Sequence, residues 1–250
     1  MRKFGVISSR KSKKVIIAVA VLTLGSLLAL PTQTRSLSSD VREAQTIMTK
    51  FGIPTGPVDG IWGRQTARGL CAFRSMAGLG SSRNPITTAD MSALRNYNAA
   101  YASIDSIPAP ARGGNTTYVV VDKTCQAMSY VESGRYMKVM AVSTGMSGYD
   151  FLPDGYSHTL GGTNRGWSCS SEYPESCAVQ SSGRFASISN VGNMYNKRHV
   201  TGGIYVHGST SVPTYPASHG CIRVAVADSD WMYDYVGNHG QPMLYIVGQY

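Results

Sequence analysis

The hydrophobic pattern of the chain is helical in its first part and strand-like afterwards. Residues 41–51 carry apolar side chains at helical spacing, with Asp40 as the expected N-cap and Gly52 as the stop signal. A turn-rich loop separates this helix from a second one over residues 64–74, and a third is predicted over residues 88–102. These segments predict a small helical unit.

Strands are predicted from Thr117 onwards. Apolar and alternating runs, separated by turn residues, indicate a meander that ends in Ser-Thr-Gly at residues 143–145. A buried strand is then expected over residues 204–206, a helix capped near Asp228, and a closing strand in P-M-L-Y-I-V-G.

This order of elements predicts an α+β protein. We expect a small N-terminal helical domain over residues 37–104 and a linker over residues 105–116, where Pro and Gly are frequent. A mainly β sandwich with one C-terminal helix is expected over residues 117–250.

Residues 1–36 have the composition of a targeting segment. Six basic residues and no acidic one lie within residues 1–14, and residues 15–30 form an almost unbroken apolar run. This order is typical of a signal peptide or a signal anchor, and a run of this length does not decide between them. Residues 31–40 are then predicted to be a polar linker. We expect the rest of the chain in the cell envelope, outside the cytoplasm, either membrane-anchored through residues 15–30 or secreted.

The net charge of +9 does not indicate a nucleic-acid partner. Beyond the first 14 residues the chain has 17 basic and 14 acidic residues, so its body is only mildly positive. The sequence has no basic helix and no ribbon of alternating basic and aromatic residues.

Candidate chemistry is concentrated between Gly203 and Val224. Cys221 lies in a Ser-His-Gly-Cys setting, and His207 ends an apolar run fourteen positions upstream. A cysteine reacts as its thiolate, so it needs a base, and His207 is the candidate. Gly208 and Gly220 leave room for a substrate backbone, and the N–H groups around Gly220 and Cys221 are candidates for receiving an oxyanion.

His207-Gly208, followed after a short loop by S-H-G-C-I-R, resembles the signature of the L,D-transpeptidase catalytic domain. The meander that ends in Ser-Thr-Gly is similar to the opening of the same domain. The resemblance implies a cysteine enzyme without a cofactor that acts on peptidoglycan stem peptides. Cys221 is then the nucleophile and His207 the general base, oriented by a main-chain carbonyl near Gly208 and Ser209.

The resemblance also suggests roles for neighbouring residues. His219 shapes the oxyanion pocket or steadies the loop, and Arg223 binds a stem-peptide carboxylate. Ser218 and Tyr205 are further candidates for substrate contact, and for each of these four a structural role is the alternative. A zinc site is a weaker alternative, because the spacing of its candidate ligands matches no short ligand motif. These candidates are His199, His207, His219 and Cys221.

If Cys221 keeps its thiol, four cysteines remain to pair or to stay buried. We favour a bridge between Cys169 and Cys177, which lie close in a polar loop, and a second bridge between Cys71 and Cys125. The second bridge would join the helical and β domains, with Cys125 exposed on a hairpin turn.

Two further segments bear on function. The helical unit resembles a small peptidoglycan-binding domain at Val41, Gln45, Trp62, Phe73 and the loop over residues 56–60. This resemblance implies a glycan contact. Arg74 departs from that family's pattern, and a plain spacer is the alternative. Residues 146–180 are an insertion relative to the transpeptidase pattern, interpreted as a substrate lid or as decoration.

The function predicted from the sequence is an L,D-transpeptidase that links third residues of two stem peptides through a Cys221 thioester. Two alternatives stay open. One is an L,D-carboxypeptidase that hydrolyses the same thioester, and the other is a non-catalytic wall-binding protein.

Overall fold

The structure is a computed structural model that describes residues 30–169, 177–179, 185–187 and 193–250. Side chains are described over residues 38–169 and 194–250. The predicted targeting segment therefore lies outside the described residues, except for the start of the first helix. No helix in the described ranges is both long enough and apolar enough to cross a bilayer.

The described ranges contain four α-helices and eleven strands. The helices are α1 Leu30–Lys50, α2 Arg64–Met76, α3 Thr88–Ala100 and α4 Val226–Asp234. The strands are β1 Tyr118–Asp122, β2 Ala127–Glu132, β3 Arg135–Ser143, β4 Ser157–Thr159, β5 Trp167–Cys169, β6 Cys177–Val179, β7 Phe185–Ser187, β8 Asn193–Thr201, β9 Ile204–Ser209, β10 Ile222–Ala225 and β11 Met243–Val247.

Nine of these strands form one mixed sheet in the order β4-β11-β1-β2-β3-β10-β9-β8-β5. The pairs β1–β11 and β9–β10 are parallel and the others are antiparallel. β4 and β5 lie at opposite ends of this order although only residues 160–166 separate them. The sheet curls so that its ends approach, and neighbouring residues reach both sides: Leu160 N–H donates to Pro242 O and Gly161 N–H to His199 O.

The first three strands are buried on both faces. Side chains alternate along a strand, so each of these strands contributes residues to both faces of the sheet. On one face, Val119, Met128 and Met140 pack inside the curl with residues of β9, β10 and α4. On the other face, Tyr118 and Val131 pack against the three N-terminal helices. The helices and the sheet therefore share one hydrophobic cluster.

The segment predicted as a linker over residues 105–116 is packed against the sheet. Ile107 is buried in the cluster that joins helices and sheet, and its carbonyl accepts from Tyr136 N–H. Tyr118 Oη donates to Pro110 O at 2.6 Å. These contacts hold the helical unit directly on β1 and β3.

Two helix starts differ from the expectation. α1 begins at Leu30, so residues 31–40 are helical instead of a linker, and Asp40 lies inside the helix instead of capping it. α4 begins at Val226 after an N-cap at Ala225. Asp228 lies in the first turn of this helix, where its negative charge interacts favourably with the positive end of the helix dipole.

Two residues that bear on the resemblance to a peptidoglycan-binding domain have structural partners. Gln45 is part of that resemblance, and Arg74 departs from the family's pattern. The side-chain oxygen of Gln45 accepts from the N–H groups of Asp59 and Gly60, which shapes the loop over residues 56–60. Arg74 forms a buried two-point ion pair with Asp90, the acidic residue of the α3 capping box. Neither side chain is thereby presented to a glycan.

Cys71 of α2 and Cys125 of the β1–β2 turn form a disulfide. Both residues are fully buried, so Cys125 is not exposed as the sequence had suggested. Cys169 is also disulfide-bonded. The side chain of its predicted partner, Cys177, lies outside the described side chains.

Candidate active site

Strands β9 and β10 bring the candidate residues to one face of the sheet. Arg223 pairs in register with His207, and Cys221 immediately precedes β10. Partners in parallel strands project to the same face, and every second residue shares that face. Cys221, Arg223, Tyr205 and His207 therefore lie together. The intervening residues Val206, Ile222 and Val224 point into the hydrophobic core.

The imidazole of His207 is held by its own strand. Its Nδ1 lies 2.9 Å from the carbonyl oxygen of Gly208. A carbonyl can only accept, so Nδ1 carries the proton and Nε2 has the lone pair. This is the main-chain orientation that the family resemblance implied, with Gly208 supplying the carbonyl.

Burial keeps His207 neutral. The side chain is 5% exposed. Burial lowers its pKa to about 4, the hydrogen bond to Gly208 partly opposes this, and the charges of Arg223 and Lys197 lower it further. At neutral pH the imidazole is therefore a proton acceptor at Nε2.

Arg223 adds positive charge beside the thiol. Burial lowers its pKa, and the negative charge that Cys221 carries as a thiolate acts in the opposite direction. This coupling is reciprocal, so the guanidinium favours the thiolate form of Cys221. Tyr205 lies on the same face, where Lys197 lies over its ring at 4.8 Å from the centroid.

The loop before Cys221 is fastened by Ser218. Its hydroxyl donates to Cys221 O at 2.5 Å and accepts from Gly220 N–H at 3.2 Å. Ser218 is 2% exposed, which favours the structural role. The Gly220 N–H would have to exchange this bond before it could receive an oxyanion. Cys221 remains a thiol, and its Sγ lies 3.8 Å from Gly203 O.

The Ser-Thr-Gly motif after the third strand of the meander supports the same loop. Thr144 O accepts from Ala217 N–H and Ser218 N–H, while Thr144 N–H donates to the side chain of Gln126. A Cβ on Gly145 would overlap Tyr149 O and lie 3.2 Å from Gly220 Cα. Only glycine allows the two backbones to approach this closely.

Two aromatic residues that the sequence analysis did not assign cover the loop. The Tyr149 ring packs edge-on against His219, with 4.6 Å between centroids. Phe151 lies so close to Gly220 that a Cβ there would be 2.8 Å from its ring. Gly220 also has φ +115°, which favours glycine. The first residues of the predicted insertion therefore lie beside the site, and their only sequence signal was an aromatic pair after a glycine-rich turn.

Gly208 does not leave room for substrate, contrary to the expectation. A Cβ at this position would lie 2.9 Å from Ser229 Cβ and 3.1 Å from Tyr195 Cβ. The absence of a side chain instead allows α4 to pack closely on β8 and β9. The contribution of Gly208 to the site is its carbonyl.

The zinc alternative receives no support from the geometry. Within the described residues, no three His, Cys, Asp or Glu side chains come close enough to hold a metal ion. His199 places its Nε2 3.0 Å from Gly202 O, in the turn between β8 and β9.

Comparison with known proteins gives the family of the chain. The family model of the L,D-transpeptidase catalytic domain (YkuD) matches residues 116–243, about half of the chain, and does not extend over the helical unit. None of the curated proteins matches the chain in sequence.

Solved structures that are similar to this chain include L,D-transpeptidases. The enzyme of Xylanimonas cellulosilytica is 26% identical with a TM-score of 0.51, over 83% of this chain and 92% of that one. An L,D-transpeptidase of Stackebrandtia nassauensis is 16% identical with a TM-score of 0.42, over 84% and 91%. One from Mycobacterium smegmatis is 18% identical with a TM-score of 0.40, over 55% and 65%. With the family model matched over half its length, the chain belongs to the L,D-transpeptidase catalytic domain family and is an enzyme of that class.

Proposed function

We propose that this enzyme joins two peptidoglycan stem peptides through a thioester on Cys221. The observation that carries the proposal is the buried, neutral imidazole of His207, whose Nδ1 is bound to Gly208 O and whose Nε2 is left as the acceptor. A base of fixed tautomer on the strand next to a thiol is the arrangement that nucleophilic catalysis needs.

In the first half-reaction, Cys221 Sγ attacks the carbonyl of the third residue in a donor stem. Its proton passes to His207 Nε2. The S–C bond forms, the bond to the terminal D-alanine breaks, and the departing amine takes the proton from Nε2. Arg223 stabilises the thiolate before attack.

In the second half-reaction, an amine on the third residue of an acceptor stem attacks the thioester. The new C–N bond forms, the S–C bond breaks, and the amine proton returns through Nε2 to the thiolate. Tyr149 and Phe151 pack against His219 and Gly220, where their rings would limit the approach of water to the thioester and favour transfer over hydrolysis.

A cleft beside the catalytic loop is large enough for part of a stem peptide. Its volume is about 430 Å³, and its lining includes Thr144, Gly145, Asp150 and Tyr215. Because Gly145 also contacts Gly220, a peptide in this cleft would approach the nucleophile from the Ser-Thr-Gly side.

The Cys71–Cys125 disulfide supports a location outside the cytoplasm, since such bridges persist in oxidising compartments. A membrane-impermeant thiol reagent applied to intact cells checks this. We expect Cys221 to be labelled, and labelling only after lysis would place the enzyme in the cytoplasm.

Two assays test the reaction. Incubation with a carbapenem, followed by intact mass measurement, should give one covalent adduct on the wild type and none on Cys221→Ala. Purified tetrapeptide stems should give a cross-linked dimer. A tripeptide without dimer would identify the carboxypeptidase alternative instead, and an adduct that survives in Cys221→Ala would refute the assigned nucleophile.

A further inference from the structure

A second cavity lies on the face of the sheet opposite the catalytic cysteine. Arg198 of β8 pairs with Val206 of β9, and Val206 points away from the face that carries His207. The cavity next to Arg198 has a volume of about 430 Å³. The residues that carry the argument among those lining it are Thr163, Arg198, Gly237, Asn238 and Gln241.

Arg198 is a buried cation without a matching anion. It is 3% exposed, and its Nη1 donates to Gly161 O at 3.3 Å. Its Nε has no hydrogen-bond partner, and no carboxylate of the described residues lies within ion-pair distance. Burial lowers the pKa of the guanidinium, which shows the cost of keeping this charge inside the fold.

A second polar atom in the same cavity is also unsatisfied. Thr163 Oγ1 is buried without a hydrogen-bond partner. Thr163 and Arg198 form an isolated bridge between their backbones, so the hydroxyl and the guanidinium are neighbours. Asn238 and Gln241 add carboxamides to the lining, and none of the lining residues is acidic.

We propose that this cavity binds a carboxylate group of a peptide. A guanidinium offers parallel N–H donors that match the two oxygens of a carboxylate, and the Thr163 hydroxyl can donate a further bond. One carboxylate neutralises the single charge of Arg198, whereas a phosphate would bring excess negative charge. The carboxamides of Asn238 and Gln241 suit the peptide groups that accompany such a carboxylate.

Ligand-observed NMR titration of the full chain tests the site with N-acetylalanine, its amide and inorganic phosphate. We expect saturable binding of N-acetylalanine and none of the amide. Thr163→Val should weaken this binding about tenfold, and Thr163→Ser should restore it, because only the hydroxyl differs.

A stability measurement and one further variant guard against a folding defect. The Thr163 hydroxyl has no partner, so Thr163→Val should unfold at the same urea concentration as the wild type. Gly237→Ala would place a methyl group 3.6 Å from Arg198 Nη2, in contact but without a clash. It narrows the cavity while keeping the cation, and we expect it to weaken binding several-fold.

The outcomes separate this site from catalysis, because the titration needs no turnover. Equal binding of N-acetylalanine and its amide, unchanged affinity in Thr163→Val, or no saturable binding would each overturn the proposal. Binding of phosphate alone would overturn the carboxylate assignment. None of these results depends on whether Cys221 forms a thioester.

Discussion

The buried imidazole of His207 predicts how the stability of the protein depends on pH. Its pKa is about 4 in the folded protein, against 6.5 as the ordinary value. Between these values the unfolded chain binds a proton that the folded protein does not. The stability that this group contributes is therefore complete above pH 6.5 and is lost as the pH falls towards 4.

The size of this effect follows from the shift. Each unit of pKa corresponds to 1.36 kcal/mol, so the difference between 6.5 and about 4 gives a loss of about 3 kcal/mol at pH 4 relative to pH 7. This is a substantial fraction of the stability of a typical domain.

Urea unfolding of the wild type and of His207→Asn, measured between pH 7 and pH 4, isolates the contribution. The asparagine amide can keep the hydrogen bond to Gly208 O but does not titrate. Carboxylates with lowered pKa values, such as Asp90, also lower the free energy of unfolding when acid protonates them. This contribution is the same in both proteins and cancels in the difference between them. The free energy of unfolding should fall by about 3 kcal/mol more in the wild type. Parallel curves would show that His207 is not buried in its neutral form.

Three other predictions concern the loop beside Cys221 and the helical unit. Gly145→Ala forces a methyl group into the backbone of the following loop, so the rate of thioester formation should fall at least about 100-fold; an unchanged rate would refute the close approach. Replacing Cys71 and Cys125 by alanine removes a cross-link with a sequence separation of 54 and should cost about 4 kcal/mol in urea unfolding. Reductant should destabilise the wild type by about this much more than it destabilises the variant, which keeps the bridge of Cys169; an equal effect on both proteins would contradict the prediction. Arg74→Met leaves Asp90 buried and unpaired and should cost about 3 kcal/mol, and a second substitution, Asp90→Leu, should recover part of it; equal stability of the single variant and wild type would contradict the pairing.

Much of the site could be predicted because its residues are contiguous in sequence. Strand alternation places Val206 in the core and His207 on the opposite face, and both follow from the apolar run before the histidine. The helix boundaries were less accessible. Polar residues before Asp40 gave no sign that α1 begins ten residues earlier.

Long-range packing accounts for what the sequence did not reveal. Gly208 faces Ser229 and Tyr195, which lie on other elements, so no local pattern could show that its missing side chain serves helix packing. Tyr149 and His219 are seventy residues apart in sequence and meet only because Gly145 contacts Gly220. Cys125 lies on a turn, yet the helical unit covers it completely.

The short edge strands of the sheet also protect the chain from strand pairing with other molecules. Open sheet edges are templates on which strands of other molecules can add, and proteins blunt them with very short edge strands. The insertion after the Ser-Thr-Gly motif supplies both ends of the nine-stranded sheet, β4 beside β11 and β5 beside β8, and each is three residues long. A shortened chain without this insertion would expose the longer edges of β11 and β8, and we expect such a chain to aggregate edge to edge.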